Sequence, residues 1–180
     1  MDLGRDGIVS GIRQVPSPNC DDRPAGEPVT LLVVHSISLP PGEFGGESVE
    51  NLFTNRLDVN AHPYFAVLKD LRVSAHFFVR RDGAIVQFVP VGRRAWHAGA
   101  SSWRGRTRCN DFSIGVELEG ADDSAFESVQ YARLAGLVRT LLTRLPLSGL
   151  AAHSDIAPGR KTDPGPRFDW PRCLSLLART

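Results

Sequence analysis

The chain has 180 residues, a formal net charge of +1, 42% hydrophobic residues and 23% charged residues. That length suits one domain able to bury roughly 70% of the surface its unfolded chain exposes, so no staples are needed. The near-neutral charge argues against a nucleic-acid or acidic-membrane partner held by global electrostatics. Three scattered cysteines, Cys20, Cys109 and Cys173, supply neither a disulfide framework nor a thiolate zinc cage.

The N-terminus, MDLGRDGIVSGIRQ, carries no apolar core of signal-peptide length, and the longest apolar run, Leu31 to Val34, is too short to cross a bilayer. The expectation is a cytoplasmic protein, with a monomer as the default state. Residues 1–28 are rich in Gly, Pro, Asp and Arg and read as an irregular arm packed on a single domain spanning 29–180.

Thr30 to His35 is a β-branched and leucine run that predicts a buried strand, followed by a Pro/Gly loop. Short helices are expected over Ser48 to Asn55 and over Tyr64 to Leu71. Ala75 to Arg80 and Ala84 to Val89 flank Arg81-Asp82-Gly83, a hairpin signal. Residues 92–110 read as one long loop. Phe112 to Leu118 returns as a strand with Ile114, Val116 and Leu118 on one face and Gly115, Glu117 and Glu119 on the other.

The strongest helical pattern runs from about Ser124 to Leu145. Leu134, Leu137, Val138, Leu141, Leu142 and Leu145 form its apolar face, Ser124 with Glu127 matches a capping box, and Pro146 marks the end. A last short helix is expected over Pro171 to Ala178. The fold class is α/β, a mixed central sheet flanked by helices.

Three segments carry chemistry-bearing side chains. His35 ends the first buried strand, His153 follows Ala151-Ala152, and Asp163 lies ten residues further on, among Pro158, Pro164 and Pro166. Two imidazoles and a carboxylate match a three-ligand Zn²⁺ site that keeps a position for water, whose pKa zinc lowers to roughly 7. In an extended stretch Lys161 points the same way as Asp163, where an ammonium stabilises a developing oxyanion. Spacing by itself is a sparse signal. A histidine at a strand end also serves as a hydrogen-bonded structural residue, and an aspartate between Thr and Pro as a turn residue.

These residues sit within longer stretches that resemble one family. The stretches are HSISLPPGEFGG (35–46), VSAHF (73–77), RAWHAG (94–99), RCNDFSIGVELEG (108–120) and HSDIAPGRKTDPG (153–165). They resemble the N-acetylmuramoyl-L-alanine amidases of the second amidase type, with a peptidoglycan-recognition-like fold. Within these they are most similar to the cytosolic AmpD-like branch, which acts on 1,6-anhydromuropeptides during peptidoglycan recycling.

The resemblance implies zinc ligands at His35, His153 and Asp163, a catalytic acid/base at Glu117 and an assisting lysine at Lys161. It also implies contacts of Arg72 and Arg108 with the substrate's peptide stem. Arginine suits that anionic stem, and five arginines with no acid lie between Arg93 and Arg108. Trp96 and Tyr64 are candidates for stacking on sugar. Ser36 stands where the family usually has Asn, which bears on substrate affinity and leaves the ligand set intact. His97 and His76 read as structural or supporting residues, and His62 as a surface residue.

The expected function is zinc-dependent hydrolysis of the lactyl amide between anhydro-N-acetylmuramic acid and L-alanine, with the muropeptide as the partner molecule. Three rivals are an exported or phage-type amidase on intact wall, a non-catalytic peptidoglycan-binding module, and a nucleic-acid binder using the arginine loop.

Overall fold

The computed structural model describes residues 1–178; Arg179 and Thr180, the last two of the expected domain, lie outside the described residues. In chain order the strands and helices begin with β1 (Arg13–Gln14), β2 (Cys20–Asp22), β3 (Leu31–Ile37) and α1 (Ser48–Phe53). Next come β4 (Phe77–Val79), β5 (Ile85–Gln87), β6 (Arg93–Ala95), β7 (Ser102–Trp103), β8 (Arg106–Thr107) and β9 (Ser113–Glu119). The chain closes with α2 (Ser128–Leu142), β10 (Gly149–Ala152), the one-turn α3 (His153–Ile156) and α4 (Trp170–Leu177). Two 3₁₀ segments, Pro63–Leu68 and Cys109–Asp111, sit in the connections.

Six strands form the central sheet in the order β1-β5-β4-β9-β3-β10. β4, β9, β3 and β10 run parallel to one another. β5 is antiparallel to β4, and β1 is parallel to β5. Covered on both faces, the central parallel strands need side chains that tolerate burial everywhere, and Leu31 to Val34 supply them. One face, made by Leu32, Val34, Ile114, Val116, Leu118, Phe77 and Val79, packs against α2 through Leu134, Leu137 and Leu141 and against α4 through Cys173. On the other face Phe78 and Val86 pack under α1 and the 63–68 segment, and Leu31 and Val33 pack under Ala98, Phe112 and Ile156.

Several elements depart from the sequence-based expectation. The first 28 residues are not wholly irregular: β1 adds an edge strand, β2 pairs with β6, and Leu3 and Val9 enter the core. Arg23 then locks this arm down by donating to the carbonyls of Val91, Asn110, Asp111 and Ser113. Residues 92–110 contain three short strands: β6 pairs with the arm's β2, a partner that local sequence does not reveal, and β7 pairs with β8. The 64–71 helix is instead a 3₁₀ segment at 63–68, capped by the His62 ring accepting from Tyr64 N.

α2 begins four residues later than expected. Phe126 turns into the core against Tyr131 and Phe168, so the cap falls on Glu127, whose N–H donates to Gln130 Oε1 at 2.9 Å. Leu142, expected on the buried face, is 49% exposed at the helix end. β10 was not expected at all. Gly-Leu-Ala-Ala lacks the β-branched signature of a strand, and only pairing with β3 makes it one. Among the described residues no helix is long and apolar enough to cross a membrane.

Candidate metal centre

Strand register assembles the site. His35 lies beside Glu117 in the β3–β9 ladder, and Ala152 lies beside Val34 in the β10–β3 ladder. One further step along that ladder puts His153 next to His35. Side chains alternate along a strand, so His35 and Glu117 leave the face that carries Gly115, opposite the Ile114–Val116–Leu118 face. The row lies toward the carboxyl ends of the parallel strands, where open α/β sheets form their crevices. β3 runs two residues beyond His35, so this histidine sits inside the strand rather than at its end.

Asp163 arrives from the loop after α3. Ser154 N donates to Asp163 O at 3.0 Å, and Gly165 N donates to Thr162 O at 3.0 Å, which folds the segment back over His153. His35 Nδ1 then lies 2.9 Å from His153 Nδ1, and Asp163 Oδ2 lies 3.1 Å from each.

This donor set fits a cation. His153 Nε2 is 3.2 Å from the carbonyl oxygen of Ala98, which can only accept, so Nε2 carries the proton and Nδ1 presents a lone pair. An imidazole lone pair, a second imidazole and a carboxylate oxygen facing one another at about 3 Å repel unless a positive centre lies between them. Ligands in a tetrahedral zinc site with bonds of about 2.0–2.1 Å stand roughly 3.3 Å apart, close to this spacing.

The electrostatics agree. Burial pushes the His35 ring down to about 4, with the negative charge of Asp163 opposing it, so the ring is neutral at pH 7 as a ligand must be. Burial, and then the negative charge of Asp163, hold Glu117 well above its ordinary value, with Lys161 pulling the other way. Glu117 Oε2 is buried and has no hydrogen-bond partner among the described residues.

Glu119, two residues on and on the same face, is the informative contrast. Its two oxygens accept from Gly45 N and Arg81 N, which ties down the Pro/Gly loop and the hairpin turn. One glutamate is spent on structure, and its neighbour is left unsatisfied facing the cleft.

That cleft encloses about 830 Å³ and is lined by His35, Ser36, Glu117, His153, Lys161 and Asp163, with Tyr64, Arg72 and Trp96 also on its wall. Arg108 lies elsewhere. It lines an adjoining cavity of about 390 Å³ that shares Trp96, Gly99 and Asn110 with the main cleft, and its Nε is 3.2 Å from Asp111. The arginine-rich segment is also less basic than its sequence. Arg93 pairs with Asp22, Arg94 with Asp21 and Asp111, and Arg106 with Glu27, the arm supplying most of the acids.

Sequence reading assigned no role to Arg160, which lines the cleft and donates to Ala98 O and Ala100 O at 2.7 Å each. It also left His97 without a specific function. His97 Nδ1 lies 2.9 Å from His35 Nε2, a contact invisible until the fold stacks the loop on the sheet.

Two imidazoles and a carboxylate around one point on this sheet make a cleft that could hold a metal ion, and the comparisons with known proteins give the class of the chain as a hydrolase. Residues 25–166 match the family model described as N-acetylmuramoyl-L-alanine amidase, and the chain belongs to that family. It is 57% identical over 174 residues to the 1,6-anhydro-N-acetylmuramyl-L-alanine amidase AmpD of Citrobacter freundii, covering 96% of this chain and 93% of that protein. A crystal structure of a selenomethionine AmpD derivative superposes with a TM-score of 0.95 at 56% identity, covering 98% of this chain and 99% of the other. The Escherichia coli amidase AmiD, in complex with anhydro-N-acetylmuramic acid-L-Ala-D-gamma-Glu-L-Lys, superposes with a TM-score of 0.60 at 33% identity, covering 86% of this chain and 60% of that one.

Proposed function

We propose that this chain is a Zn²⁺-dependent amidase that cleaves the lactyl amide between anhydro-N-acetylmuramic acid and L-alanine in muropeptides released during peptidoglycan recycling. The observation that carries the reading is the meeting of His35, His153 and Asp163 within 4.8 Å beside the unpartnered carboxylate of Glu117. The names of the AmpD relatives and the substrate bound to AmiD support the anhydro-muropeptide as partner. Residues 29–180 form the catalytic domain in this reading, and 1–28 an arm folded onto it. Cytoplasmic action belongs to the same reading, and the three free thiols suit a reducing compartment.

His35, His153 and Asp163 would hold the zinc, which when bound polarises the amide carbonyl and makes water a nucleophile near neutral pH. Glu117 takes a proton from the attacking water and returns it to the departing L-alanine nitrogen, a service worth about 10² to 10⁴ in rate. Its raised pKa suits both proton transfers, because the group is a stronger base than an exposed glutamate and a competent acid afterwards. Lys161 lies on the cleft wall two residues before Asp163 and stabilises negative charge growing on the carbonyl oxygen. Arg72 and Arg108 bind stem carboxylates, Tyr64 and Trp96 pack against the sugar, and Ser36 contacts substrate beside His35.

A binding module that does not cut would lack part of this machinery, whereas here three donors, Glu117 and Lys161 share one cleft. Mass spectrometry of an anhydro-muropeptide incubated with the protein tests the proposal. Free stem peptide, lost on chelation and regained with Zn²⁺, is expected; an uncut substrate overturns it. Faster release from intact sacculi than from soluble fragments would favour the wall-directed amidase instead.

A further inference from the structure

The two imidazoles of the centre are held by one dipeptide. Ala98 O accepts from His153 Nε2, and the His97 ring meets His35 Nε2. His97 in turn sits 3.1 Å from Ser113 Oγ through its own Nε2. Ser113 Oγ lies 2.6 Å from the carbonyl oxygen of Cys109.

The direction of this chain is set at its far end. A carbonyl has no proton to give, so the Ser113 hydroxyl donates to Cys109 O and is left to accept from His97 Nε2–H. The His97 ring is buried, and among the described residues its nitrogens meet only His35 and Ser113, so the single N–H of an imidazole is used at Nε2 toward Ser113. Its Nδ1 is therefore an acceptor. The proton between the two histidines belongs to His35 Nε2, and His35 Nδ1 is left bare toward His153 and Asp163.

The ring is also fixed in position. It lies against the backbone of β9 at Gly115, where an added Cβ would stand 2.4 Å from His97 Cγ and 2.6 Å from His97 Nδ1. The backbone beneath it is pinned by Asn110 Oδ1, which accepts from His97 N at 3.2 Å and Ala98 N at 2.8 Å.

We propose that His97 is a positioning residue that, through Ser113 and the Cys109 carbonyl, dictates the tautomer and orientation of His35 and so prepares the metal centre before any cation binds. The inference rests on the assignment of His35 as a zinc ligand. Partners of this kind usually contribute 10–100-fold to metal affinity, and here the partner is an imidazole where a carboxylate or carbonyl is usual.

Two measurements test it without reference to turnover: the zinc Kd from competition with a chromophoric chelator, and the His35 ring tautomer from long-range ¹H–¹⁵N correlation in zinc-free protein. The wild type should show His35 protonated at Nε2 only. His97→Ala should weaken zinc binding by about 10–100-fold and mix the His35 tautomers. Ser113→Ala, which removes one hydroxyl and leaves the packing in place, should give a smaller loss in the same direction. His97→Asn, which offers Oδ1 near the lost Nδ1, should recover most of the affinity. An unchanged Kd and an unchanged His35 tautomer in both His97→Ala and Ser113→Ala overturn the relay. The control is His35→Ala: if zinc affinity survives that change, the ligand assignment itself has failed rather than the relay.

Discussion

The two faces of the central sheet are built from the same strands and do opposite work. On the face under α2 and α4, alternate residues of β3, β9 and β4 are apolar and fully buried, and the buried Gln130 amide of α2 is satisfied by Val79 O and Glu119 O. On the opposite face the alternate positions include His35, Gly115, Glu117 and Glu119, all enclosed yet mostly polar. One face gains stability by removing apolar area from water, at roughly 25 cal/mol per Å². The other gives some of that gain up. It buries a carboxylate oxygen with no partner and three mutually repelling donor atoms, an arrangement useful only to something that binds there.

A division of this kind makes the two faces fail differently. The largest effect is expected at the proposed ligands. Asp163→Ala, which removes one of three donors, should take product release below detection while far-UV circular dichroism remains that of the wild type. A loss of fold in parallel would blur the distinction. Next, Glu117→Gln should lower kcat by about 10² to 10⁴, with bound zinc by metal analysis still at wild-type stoichiometry. Retained turnover would remove Glu117 from the chemistry.

On the opposite face, Leu137→Ala deletes a fully buried side chain and should cost about 2–5 kcal/mol in urea unfolding. The folded fraction should keep its kcat, since Leu137 touches no part of the cleft. The smallest effect sharpens the contrast most. Glu117 binds its proton more tightly in the folded protein than in the unfolded chain. The zinc-free wild type therefore loses stability as pH rises from the ordinary glutamate range toward the raised folded value. Glu117→Gln escapes that loss. The zinc-free variant should match the wild type below about pH 4 and melt a few degrees higher at pH 7. An equal or lower melting temperature at pH 7 would mean that the buried carboxylate carries no penalty.

The amino-acid sequence alone determined more of the apolar face than of the polar one, and for a physical reason. Period-two and period-3.6 patterns reflect burial, so β3, β9, the β4–β5 hairpin and the body of α2 were readable from residue order. His35, His153 and Asp163 were a sparse candidate set by residue type, and only the long stretches that resemble a family tied them to one another and to Glu117, because His35 and His153 stand 118 residues apart and advertise no common point. Tertiary structure alone decided that β10 is a strand, that its register sets His153 beside His35, and that the arm neutralises the arginine segment. It also moved Arg108 out of the main cleft and laid His97 over Gly115 against His35. Each of these is a contact between segments remote in the chain, and the energies that fix such contacts are absent from any local window of sequence.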